Sequence, residues 1–451
     1  MASLVKDMTK GKETPLLVRF MLPMLLGNLF QQVYNLADSI IVGQHEGSLA
    51  LGSIGCTGSI TFLFFSVCNG LSVGAGILVA QYFGSGKKEE VKRTLVTSFY
   101  ILLVLGTLLS IVGYLLTEPV LKLLDTPKTQ IAGAIEYLHI VCLGTLAVSL
   151  YNYASQTMRA LGDSKTPLIF LIVSSFINVG LDLLFVVVMD LGIRGAAYAT
   201  VLSQCISAVC SLLYAFWKNP YFRLRKEHLK IDPIISRQCF RIGMPLAAQS
   251  ILISISCVVL QRVVNGFDDA VVSAFTATTR IEQFVQQPFN SLGAAMSTFT
   301  GQNMGAGKVD RVRTALKKCA LIAASIALLM LLVCYGAGEF LIGCFVKEPE
   351  VIRIGAMGLR ITSLMFFPLG IIYVTRGLLN GAGDAFYAML NGMVEVSGRV
   401  GFSLLLVVLF PIGIKAVWFA TGLTWVITAL AGLIRYRQGK WLTYSLTVKK
   451  A

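Results

Sequence analysis

Apolar residues run along this chain in long blocks, of which 95–116, 169–188 and 402–410 are the plainest, and the breaks between blocks are short, charged or marked by Gly and Pro. A helical block of about 20 apolar residues matches the hydrocarbon thickness of a bilayer. Twelve such spans are predicted, near 16–42, 56–83, 93–116, 130–158, 167–189, 192–217, 239–264, 271–302, 315–337, 351–377, 385–409 and 413–436. The blocks are too long for the strands of a membrane β-barrel and do not alternate as such strands do. The expected fold is an all-α integral membrane protein.

The pattern also repeats. Gln81-Tyr-Phe-Gly-Ser-Gly-Lys-Lys-Glu-Glu-Val91 matches Gln302-Asn-Met-Gly-Ala-Gly-Lys-Val-Asp-Arg-Val312 at five of eleven positions, at an offset of 302 − 81 = 221. The same offset relates 192–202 to 413–423, again with five identities, where chance gives about one. Pro23 and Pro245 correspond within a residue of that offset. The expected architecture is two tandem six-helix bundles, 1–217 and 239–451, joined by a polar cytoplasmic linker at 218–238. Six spans per half is an even number, so the repeat is parallel, and such repeats place the transport path near the bilayer midplane.

Composition agrees, with 55% hydrophobic and 14% charged residues against roughly 25% charged in soluble domains. The net charge of +15 would suggest nucleic acid if it were clustered. Instead most Lys and Arg residues, Arg376 among them, fall on one side of the predicted spans, and the opposite loops hold only Lys122, Lys128, Arg194, Lys347, Arg353 and Lys415. By the positive-inside rule the basic side is cytoplasmic, with both termini inside. The charge reports topology, and no nucleic-acid partner is expected. The chain opens on a polar, Lys-bearing stretch rather than a cleavable signal peptide. Ten scattered cysteines without a Cys-x-x-Cys pair read as small hydrophobes. His45, His139 and His228 have no metal-binding spacing, and His139 reads as a packing residue.

An ionisable group in mid-membrane costs about 2.5–3.5 kcal/mol and is a functional candidate by default. The first half has two, Asp38 and Asp182. Asn28, Gln31, Asn35 and Asp38 recur at helical spacing and form one polar stripe on the first span. Asn178 with Asp182 on the fifth span, and Thr200 with Gln204 and Ser207 on the sixth, do the same. Counted from the span ends, Asp38, Asp182 and Thr200 lie at one level, about 7–12 Å below the outer surface. Two carboxylates, an amide and a hydroxyl suit a small hard cation such as Na⁺. The same carboxylates, kept dry, could instead share a proton. At the duplicated positions Asp38 becomes Leu260, Asn178 becomes Arg399 and Asp182 becomes Ser403, while Thr200 is kept as Thr421. Only the first half can bind a cation this way.

The six-plus-six helices, the Gly-x-Gly-Lys loops after the second and eighth spans and the run Gln302-Asn-Met-Gly-Ala-Gly307 together resemble the multidrug and toxic compound extrusion family. The resemblance covers nearly the whole chain. It implies two lobes that alternate access and export small amphipathic compounds against an inward flow of H⁺ or Na⁺, in the plasma membrane, as a monomer among lipids and with no other cofactor. Carried over position by position, Asp38, Asn178, Asp182 and Thr200 match the cation site of the branch that includes DNA-damage-inducible exporters. Tyr34 lies one turn before Asp38, and Pro23 matches the proline of the first helix. The seventh span has no carboxylate, so the site of the branch that uses a glutamate there is not carried over.

The second half holds Arg280, Glu282, Arg360, Glu395 and Arg399 within its spans, and Glu395 and Arg399, four apart, are expected to pair. With Gln31, Asn35 and Gln204 these are the candidate cavity or substrate residues. Gly70, Gly74, Gly76, Pro288 and Pro368 read as close packing or kinks. The Gly-x-Gly-Lys loops lack the full phosphate-loop spacing, no ATPase motif is present, and no nucleophile–base pair suggests an enzyme. The remaining alternative is a flippase for a lipid-linked or polyprenyl intermediate, with Arg280, Arg360 and Arg399 facing its cavity.

Overall fold

The computed structural model describes residues 5–124, 126–409 and 412–444. Its helices are α1 (Glu13–His45), α2 (Gly47–Gly84), α3 (Lys88–Leu123), α4 (Ile131–Leu143), α5 (Thr145–Ala160), α6 (Lys165–Asp182), α7 (Gly192–Lys218), α8 (Pro233–Val264), α9 (Asp269–Gly305), α10 (Val309–Gly343), α11 (Pro349–Ser363), α12 (Phe366–Ala382), α13 (Ala385–Leu404) and α14 (Ala416–Arg437). No strand occurs among the described residues.

Nine helices among the described residues are long and apolar enough to cross a membrane, and two bent pairs bring the number to eleven. The twelfth expected span is α9. Its 37 residues would reach about 55 Å, but Arg280, Glu282 and a run of glutamines make it the most polar of the set. The fold class is therefore the expected one, twelve helices crossing the bilayer.

Two spans differ from their expected form. The fourth is broken into α4 and α5, bent by 45°, and the tenth into α11 and α12, bent by 52°. The second break has a local cause, because Pro368 has no N–H to donate to the carbonyl of Leu364, four residues earlier. The first break falls at Gly144. The fifth and eleventh spans end in π-helical turns, Leu183–Val188 after α6 and Leu405–Leu409 after α13. Bends and π turns alike recur at the repeat offset. The second glycine of each duplicated loop, Gly86 and Gly307, has φ of +75° and +71°, a conformation that side-chain-bearing residues adopt at a cost. There Lys87 and Lys308 donate backbone N–H groups back to Tyr82 and Asn303 and close the helix ends.

The chain packs as two compact units, one of Met1–Asp7 with Leu26–Ala247 and the other of Met8–Leu25 with Ala248–Ala451. The repeat had set the boundary in the linker at 218–238. By packing, that linker and the start of α8 belong with the first unit, and the start of α1 with the second. In the first unit the cause is close backbone approach: a Cβ at Gly70 would lie 2.6 Å from the Ala247 nitrogen, and one at Gly74 2.8 Å from Gly243. In the second unit, the Met8 nitrogen donates to Gln302 Oε1 at 2.8 Å, Lys308 Nζ donates to the Thr9 carbonyl at 2.9 Å, and Glu13 pairs with Lys318 at 2.7 Å and Arg311 at 3.1 Å. Met8, Leu17, Phe20, Met21 and Met24 then join the core built by α9, α10 and α12. The divisions within α1 and α8 fall just past a proline inside a continuous helix, Pro23 and Pro245.

Candidate functional site

In the first unit, α1 carries Asp38 and α6 ends on Asp182, immediately before its π turn. Such turns are frequent where a helix serves a functional site. The two carboxyl groups come within hydrogen-bonding reach of one another. Asp182 is fully buried and Asn178, one turn earlier, is buried beside it. Neither Asp182 oxygen, nor Asp38 Oδ1, nor Asn178 Oδ1 has a hydrogen-bond donor among the described residues. Buried carboxylate oxygens without a partner are expensive, which marks this cluster as the candidate place for a proton or a small cation.

Two tyrosines lie against the pair, and a third, Tyr151, adjoins Tyr34. Tyr34 lies close enough to Asp38, Asp182 and Tyr151 to sense their charge. Tyr137, from α4, lies against Asp38, Tyr34 and Asp182 and meets the Thr200 side chain. The structure thus brings Asp38, Asn178, Asp182, Thr200 and Tyr34 to one place. Tyr137 joins them from the bent fourth span, a residue the sequence reading had not singled out. Gln204 lies partly buried one turn beyond Thr200, and Gln31 and Asn35 lie on the exposed side of α1. His139, one of the residues expected to pack, stacks on Tyr114 with ring centroids 4.2 Å apart.

The second unit has a different polar centre. Glu395 and Arg399 pair as expected, at 3.2 Å, but Arg376 from α12 is the closer partner of Glu395, at 2.6 Å. Arg376 also donates from Nε to Asn391 Oδ1 at 2.7 Å. The charge pattern had counted Arg376 as a cytoplasmic anchor, and the structure places it instead in a buried network, because it stands opposite Glu395 within the last turns of its span. Glu282, Arg376, Glu395 and Arg399 line one cavity of about 190 Å³ with Thr421. Arg280 and Arg360 do not reach it. Arg280 lies on the exposed face of α9, and Arg360 points to Glu339 at 3.3 Å.

Membrane-spanning helices together with the family match make this chain a membrane transporter, not an enzyme. The chain belongs to the MatE family, whose model matches residues 23–184 and 245–395. Among similar proteins, the probable multidrug resistance protein YpnP of Bacillus subtilis is 31% identical over 98% of this chain and 99% of its own length. The probable multidrug resistance protein NorM of Thermotoga maritima is 23% identical over 97% and 96%. Among solved structures, MATE in complex with MaL6 superposes with a TM-score of 0.92 at 22% identity, over 98% of this chain and all of that one, 100%. A MOP superfamily transporter from Pyrococcus furiosus gives 0.91 at 22% identity, over 100% and 99%.

Proposed function

We propose that this protein is a cation-coupled antiporter that exports small amphipathic organic compounds by alternating access. The counter-ion, H⁺ or Na⁺, is bound in the first unit by Asp38 and Asp182, with Asn178, Thr200 and Tyr34 completing the site. The observation that carries the reading is the pair of facing carboxyl groups whose buried oxygens have no donor among the described residues. A proton shared between them, or a Na⁺ ion drawing on the oxygens of Asp38, Asn178, Asp182 and Thr200, removes that deficit. Coupling follows, because a cation that binds one conformational state better than the other shifts the balance between them.

The names of the relatives support drugs or toxic metabolites as cargo and give no support to a lipid-linked flippase. The excess of Lys and Arg on one side supports an orientation with both termini in the cytoplasm. Proteoliposomes with a separately imposed pH or Na⁺ gradient, loaded with the cationic dye ethidium, test the reading. The wild type is expected to export dye under one of the two gradients, and Asp38→Asn and Asp182→Asn to abolish that export while remaining in the membrane. Unchanged export by either variant would sink the assignment.

A further inference from the structure

The cavity of the second unit is not a diluted copy of the carboxylate site. Its charged lining comes from three different spans, Glu282 on α9, Arg376 on α12, and Glu395 and Arg399 on α13, and the four formal charges sum to zero. Two of the four are incompletely satisfied. Glu282 leans on Thr362 through one oxygen and leaves Oε1 buried without a partner among the described residues. Arg399 donates from its terminal nitrogens to Glu395 and to Cys257 Sγ at 3.2 and 3.1 Å, but its Nε has no acceptor. Both residues are 8% exposed, and they lie close enough for each to sense the other's charge.

An open acceptor of negative charge and an open donor of positive charge, in one small cavity, specify their ligand. A lone cation would satisfy Glu282 and meet two guanidinium groups. A lone anion would satisfy Arg399 and leave Glu282 bare. A neutral molecule would leave both charges without a counterpart, and buried charges tolerate that poorly. The rest of the lining mixes apolar residues, Leu260, Ile372 and Trp425 among them, with polar ones such as Gln261, Thr279 and Gln286. The volume of about 190 Å³ is slightly above the 150 Å³ or so of a cavity that holds one benzene ring.

We propose that this cavity binds the amine-and-carboxylate head of a small zwitterion, the ammonium against Glu282 and the carboxylate against Arg399, with a short apolar chain against Trp425. All of these residues belong to the second unit, so the site is separate from the counter-ion site. Each charged contact exchanges a buried orphan atom for a charge-assisted hydrogen bond, worth about tenfold or more in affinity.

The full-length protein in lipid nanodiscs, titrated by calorimetry, tests this with three probes of one branched shape: free leucine, isoamylamine, which lacks the carboxylate, and isocaproate, which lacks the amine. Leucine is expected to bind about tenfold more tightly than either of the others. Glu282→Gln is expected to bring leucine down to the level of isocaproate. Should that variant fail to fold, Glu282→Asp, which withdraws the carboxylate by one methylene, is expected to weaken leucine and isoamylamine and to leave isocaproate unchanged. Equal binding of the three probes, no binding of leucine, or a leucine preference that survives the Glu282 substitution overturns the proposal. Asp182→Asn is expected to leave leucine binding intact. If no ion gradient drives dye export while leucine still binds, the counter-ion assignment falls and this site stands.

Discussion

The two units have the same skeleton and different chemistry. Each has a proline inside its first helix, a bend in its fourth span, a π turn at the end of its fifth and a left-handed glycine in the loop after its second. In the first unit the helix before the π turn ends on Asp182, whose buried oxygens have no hydrogen-bond donor among the described residues. In the second the matching place is Ser403, and one turn earlier Arg399 is already held by Glu395. Backbone geometry that positions a site and side chains that charge it are thus separable. Duplication copied the first, and only one half has the second.

The sharpest way to break this comparison is to neutralise one position in each half. Asp182→Asn is expected to abolish gradient-driven export, whereas Ser403→Ala, at the duplicated position, is expected to leave export at the wild-type rate in the same proteoliposomes. Equal losses would mean that the matching positions serve packing in both halves.

Next in size is the buried ion network of the second unit. Glu395→Ala strands the guanidinium groups of Arg376 and Arg399 inside the unit. The expected cost is about 3–5 kcal/mol, seen as a lower melting temperature of the purified protein in detergent. A substitution without thermal effect would mean that water reaches both arginines.

Packing differs between the units as well. A Cβ at Gly377 would lie 2.2 Å from the Gly293 carbonyl oxygen, whereas one at Gly76 would lie 3.2 Å from that of Gln156. Gly377→Ala should therefore destabilise by about 1–3 kcal/mol and Gly76→Ala by less, compared in one melting series. The smallest effect is expected from Tyr137→Phe, which removes the hydroxyl that meets Thr200 while keeping the ring. It should slow export a few-fold, roughly the worth of one neutral hydrogen bond. Loss of all export would promote Tyr137 to a ligand of the cation.

How much of this was legible in the sequence depends on what the bilayer penalises. Asp38 and Asp182 stood out because carboxylates are costly in hydrocarbon, and helical spacing then placed Asn178 and Thr200 beside them. Tyr137 and Tyr151 did not stand out, since a tyrosine in an apolar span reads equally well as packing. The bend that carries Tyr137 to the site depends on a break at Gly144, and one glycine does not announce a break. In the tenth span Pro368 was recognised as a kink, but the position of the break four residues earlier follows only once the helix is known to span it. Arg376 was misread for a related reason: near the end of a span, an arginine that snorkels to the surface and one that turns inward look alike until its partner is located.

The paired π turns also bear on how the repeat is built. A π turn holds one more residue than the α turn it replaces. Its recurrence at the end of the fifth span in both halves makes it part of the repeated scaffold, alongside the duplicated loops. The aspartate beside it is found in one copy only. What separates the half with a buried carboxylate pair from the half without one is a handful of side chains on a scaffold common to both.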